Sequence, residues 1–184
     1  MVALRGVRHA VVVGLLIAAT ATGSAAVADS SGGSDDQPTL LNVRLTGYEE
    51  DPLALSTTGT GRFRAQINDE RQEITFRLTY ASLEGNVTQA HIHLGGKAQS
   101  GGISAFLCTN LGNGPAGTQA CPAAPGVVDG TIRPADVIGP AGQGITAGEF
   151  DELVAAIRAG TAYANVHSSL YPGGEIRAQL GHSH

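Results

Sequence analysis

Short runs rich in β-forming residues, several of them alternating apolar and polar positions, recur along most of this chain, at Leu40 to Gly47, Gly59 to Ile67, Glu73 to Tyr80, Val87 to His93, Ile103 to Leu107, Val127 to Ile132, Ala162 to His167 and Gly174 to Leu180. Phe63, Ala65 and Ile67 share one face against Arg62, Arg64 and Gln66, and Ile74, Phe76 and Leu78 oppose Thr75, Arg77 and Thr79. A period of two is the signature of strands with one face in a core and one in water. Most runs end in Gly, Asn, Asp, Ser or Pro, and the turn Asn68-Asp69-Glu70-Arg71 joins two of them. The pattern predicts a mainly β fold, an antiparallel β-sandwich or barrel-like domain.

One segment changes period. Thr146-Ala147-Gly148-Glu149 has the form of a capping box, and Phe150, Leu153, Val154 and Ile157 follow at helical spacing until Gly160. An amphipathic helix over about 147–159 is expected to lie on the sheet, with Glu149, Asp151 and Glu152 complementing its N-terminal dipole. From Gly112 to Gly144 the chain is rich in Gly, Pro and Ala, with a weak strand signal at Val127 to Ile132. It reads as a long irregular connection over the sheet.

The first 28 residues follow another rule. Arg5 and Arg8 precede an apolar stretch from Ala10 to Ala21, and Ala26-Val27-Ala28 is a small-x-small cleavage site. This order predicts an export signal with a mature chain starting at Asp29, a polar linker over 29–38, one domain over 39–181 and a short tail at 182–184. Cleavage deletes two arginines and no acid, taking the formal charge from -5 to -7. Lys97 is the sole lysine and aromatics are 4% of the chain, so nucleic acid is not an expected partner. After removal of the signal no membrane span is expected, and the protein is expected to be secreted, extracellular or in the periplasm or cell envelope. In such a compartment Cys108 and Cys121, which flank a glycine-rich loop, are expected to form a disulfide.

The candidate chemistry lies in histidines. If residues 90–93 are extended, His91 and His93 project from one face about 7 Å apart. His167, on the run AYANVHS, would supply a third imidazole, and three leave a position open on copper or zinc. The competing reading is that each ring satisfies a backbone or carboxylate partner, or faces solvent. Glu175 and Arg177 alternate on the last run: Glu175 could orient a ligand imidazole and Arg177 attract an anion, or each could pair with an opposite charge across the sheet. No nucleophile elbow accompanies Ser168 or Ser169, and no catalytic residue is assigned.

LTGYEEDP, AHIHLG and GEFDELVAAIRAGTAYANVHSSLYPGGEIRAQL together resemble the CHRD domain, the module named after chordin and found in many exported bacterial proteins. The resemblance covers about residues 39–181 and implies an extracellular β-sandwich-like domain with no settled biochemical activity. It points to a binding or structural module whose partner is an extracellular protein or cell-envelope component. Ala178 and Ser168 stand where that family commonly has Gly and Thr. His91-x-His93 followed by Asn165-Val166-His167 is also similar to the copper ligands of Cu/Zn superoxide dismutases. That likeness is confined to the copper side, because no histidine lies between His93 and His167. It implies the alternative function, a metalloprotein with a three-histidine copper or zinc site and superoxide dismutase-like redox chemistry.

Overall fold

Each of the eight runs becomes a strand: β1 Thr39–Thr46, β2 Thr60–Asn68, β3 Glu73–Ala81, β4 Val87–Leu94, β5 Ile103–Thr109, β6 Gly126–Ile132, β7 Ala162–Ser168 and β8 Ile176–Leu180. The computed structural model describes residues 39–181; the expected signal, the linker over 29–38 and the tail over 182–184 lie outside the described residues. All pairings are antiparallel, in the order β5-β4-β7-β8-β1-β2-β3-β6. The eight strands form one nearly closed, barrel-like sheet. Its two four-stranded halves meet where β1 pairs β8 through Thr46 and Arg177.

The inward residues of β2 and β3 build the centre of the core, where Phe63 and Phe76 stack at 6.0 Å. Their outward neighbours stay wet. Arg77 on β3 pairs with Asp129 on β6 at 2.6 Å with both side chains more than half exposed, a surface contact that water and salt largely screen. Helix α1, Phe150–Arg158, buries Phe150, Leu153, Val154, Ala156 and Ile157. It begins three residues later than its sequence pattern suggests. Only the carboxylate half of the capping box forms, Glu149 Oε2 accepting the Thr146 N–H at 2.6 Å. Gly148 then turns the chain at φ +90°, so the helix cannot run back to Ala147.

The stretch over 112–144 also departs from expectation. It is not one irregular connection, because Gly126–Ile132 pairs with β3 along its whole length and forms an edge of the sheet. Its strand signal is weak for a steric reason. A Cβ at Gly126 would lie 2.6 Å from the Tyr80 ring and one at Gly130 2.7 Å from that of Phe76, so the aromatic rings of β3 occupy the space of β6 side chains.

β5 and β6 face each other without a ladder, and the loop between them closes the seam. Cys108 on β5 is bonded to Cys121 in that loop. Gln119 Nε2 donates to Leu107 O on β5 at 3.2 Å and to Asp129 O on β6 at 2.9 Å. Tyr80 Oη donates to Pro122 O. Gln119→Ala is expected to lower unfolding free energy by about 1 kcal/mol, since two carbonyls at a partly wet seam lose their donor. Urea denaturation of the two proteins checks this.

Candidate metal centre

Across β4, β7 and β8 the face turned away from the core is polar and yet buried. Ala90, Ile92, Ala164, Val166, Ile176 and Ala178 join the apolar core. The alternate positions carry His91 and His93 on β4, Tyr163, Asn165 and His167 on β7, and Arg177 and Gln179 on β8. Register sets them side by side: His93 opposite Tyr163, His91 opposite Asn165, and Asn165 opposite Arg177. Residues 95–102 roof this layer. Arg177 Nη2 donates to Gly96 O at 2.9 Å and Gln99 O at 3.0 Å, Gln179 Nε2 donates to Gly95 O at 2.8 Å, and the Gly101 N–H donates to Tyr163 Oη at 3.1 Å. Ser100 Oγ donates to Asp51 Oδ2 at 2.7 Å, tying the roof to the segment that follows β1.

Under it the three histidines converge. His91, His93 and His167 are 0%, 7% and 5% exposed, and one nitrogen from each lies within 4.8 Å of the others. Two tautomers follow from the backbone. His93 Nδ1 stands 2.9 Å from Gly101 O and His167 Nδ1 3.0 Å from Pro172 O. A carbonyl only accepts, so each Nδ1 carries the proton and each Nε2 keeps its lone pair. His167 Nε2 lies 3.2 Å from His91 Nδ1, the separation of two ligands held about 2.0 to 2.1 Å from one ion at roughly 100°.

β5 adjusts to this placement. Against β4 it carries two extra residues, Leu107 and Ser104, one on each side of the His91–Ile92 pairing. Such bulges re-aim side chains, and Phe106 meets His91 edge-on at 4.4 Å.

Electrostatics keep the rings neutral. Burial lowers His91 to about 2, helped by the other two histidines, and lowers His93 to about 4 against the opposing pull of the Gly101 carbonyl. His167 is lowered by burial as well. Neutral imidazole is the metal-binding form, so no proton competes at neutral pH. Of five buried side-chain atoms without a hydrogen-bond partner among the described residues, four belong to this layer: Glu50 Oε1, His91 Nε2, His93 Nε2 and Asn165 Oδ1. Buried polar atoms are rarely left so, and their concentration here fits residues arranged for a ligand.

Glu175 and Arg177 are both buried, at 0% and 2% exposed, in different surroundings from those expected. Glu175 precedes β8 and ties loops together, accepting from Thr57 Oγ1 at 2.8 Å, Glu84 N at 2.7 Å and Gly85 N at 3.5 Å. His93 and His167 take their orienting contacts from the Gly101 and Pro172 carbonyls, and His91 contacts His167. Arg177 lies over the Tyr163 ring with Cζ 3.5 Å from its centroid, and Tyr163 stacks on His93 at 4.8 Å. Tyr163 and Asn165 were legible in AYANVHS, where they share the parity of His167. Glu50 carries no such signal. Burial raises its carboxyl to about 7, against the hydrogen bond from Asn165 and the charge of Arg177.

A family model described as the CHRD domain matches residues 41–180. No curated protein and no solved structure matches the chain.

Proposed function

The chain belongs to the CHRD domain family, and we propose that this member is an exported module that holds a copper or zinc ion on His91, His93 and His167. The observation that carries the reading is the convergence of three buried, neutral imidazoles, two of them with tautomers fixed by carbonyls so that Nε2 is free to ligate. Copper would supply one-electron exchange with a small oxidant such as superoxide, and zinc would polarise a bound water. The protein's own share is to hold three neutral donors in a shielded layer and to leave a coordination position unfilled by protein. The disulfide fits an oxidising compartment outside the cytoplasm.

Elemental analysis of untagged protein tests the reading. Wild type is expected to carry about one copper or zinc ion per chain after loading and desalting, and His93→Ala at most about a tenth of that. Because both proteins keep His182 and His184, the difference isolates the buried set. Equal, negligible metal in both would overturn the assignment.

A further inference from the structure

Arg177 is a permanent charge where charge is expensive. It is 2% exposed, and among the described residues no carboxylate lies within salt-bridge distance of it. Two backbone carbonyls and the face of Tyr163 hold it in place. Guanidinium cannot shed its proton to relieve the cost, as a lysine could. On the other side of Tyr163, in parallel contact, is His93. Arg177 is therefore a fixed cation behind one arm of the three-imidazole set, with the Tyr163 ring between them.

We propose that Arg177 biases this site toward a monovalent ion, Cu(I), over Cu(II) and Zn(II). The inference rests on the metal reading above and adds the ion's charge state to it. All three donors are neutral, so nothing in the first layer offsets the charge of the ion. The penalty for burying an ion rises with the square of its charge, and repulsion from Arg177 rises in proportion to it. Both terms favour one positive charge over two. Three imidazoles also suffice for a three-coordinate ion, and imidazole suits copper. Glu50 opposes it: its carboxyl feels the charge of Arg177, and burial raises it to about 7, so it is only partly ionised at neutral pH. It offsets part of the guanidinium charge and supplies a second, oppositely signed handle.

The experiment is the ratio of Cu(I) to Cu(II) affinity, measured by competition with chelators for each ion at pH 8, where Glu50 is largely ionised. Arg177→Gln is expected to lower the ratio about tenfold, equivalent to about 59 mV for a one-electron couple. Arg177→Lys, which keeps the charge, should stay within about threefold of wild type. Glu50→Gln should raise the ratio by about threefold or more, and this near-isosteric change decides the matter if Arg177→Gln does not fold. An unchanged ratio in the folded neutral variants would overturn the role of Arg177 and leave the metal site standing. Failure of wild type to bind either copper ion would overturn the preference for Cu(I), and failure to bind zinc as well would overturn both readings.

Discussion

Acidifying the metal-free protein from pH 7.5 to 5 is expected to cost it about 2 to 4 kcal/mol of folding stability, a large part of the reserve of an ordinary domain. In the unfolded chain a histidine takes up its proton near 6.5. In the fold His91 does so only near 2 and His93 near 4, because burial opposes the charged ring, and His167 is shifted the same way. Between those values the unfolded state binds more protons than the folded one, so stability rises with pH. The contribution is complete above about 6.5 and is lost as pH falls towards the folded values. At pH 5 the loss is about 2 kcal/mol for each of His91 and His93, with His167 adding to it. Glu50 acts in the opposite sense. Its carboxyl, raised to about 7, binds a proton in the fold before the unfolded chain does and returns part of the loss. Urea midpoints at the two pH values, with a chelator present, measure the net effect. Glu50→Gln should steepen the fall and His91→Phe should make it shallower. A stability indifferent to pH across this interval would mean that the imidazoles are not held neutral.

Removing the disulfide, as Cys108→Ala with Cys121→Ala, is expected to lower unfolding free energy by about 3 kcal/mol, the loop-closure value for a bond spanning 13 residues. The bond closes a small loop, but that loop carries the seam. Asn110 Nδ2 donates to Val87 O at 3.1 Å and Cys121 O at 2.9 Å, its Oδ1 accepts the Cys121 N–H at 3.0 Å, and Gln119 spans β5 and β6. Denaturation of the double variant should show a lower midpoint, with faster amide exchange in β5 and β6 than in β2 and β3. A loss below about 1 kcal/mol would mean that these hydrogen bonds hold the seam unaided.

Alternation made the strands legible, because a half-buried strand writes its geometry into every second residue. It misled where the geometry removed the side chains. Gly126 and Gly130 yield their space to Tyr80 and Phe76, so β6 gives only a weak strand signal from its own residues and makes full sense beside β3. The helix shows the reverse fault: Thr146 and Glu149 have the right spacing for a capping box, and the conformation of Gly148 places the first helical turn beyond them. At the site, period two was enough to put His91 and His93 on one face. That His167, 76 residues from His91, meets them depends on β4 lying beside β7, a non-local pairing that no short stretch encodes. The roof over 95–102 was invisible for the same reason, and with it the burial that makes Arg177 and Glu50 electrostatic features and not surface charges.

The apolar core and the imidazoles occupy alternate positions of the same strands, so a one-residue slip between β4 and β7 would exchange them. Ala90 and Ile92 would turn out under the polar roof while His91 and His93 entered the hydrocarbon, which would pay nothing for their hydrogen-bonding atoms. Mispaired forms are thus penalised twice, and the penalty needs no ion. The spatial arrangement of the three imidazoles is inherited from the packing of residues that never touch them, so a newly folded chain emerges with those rings already gathered.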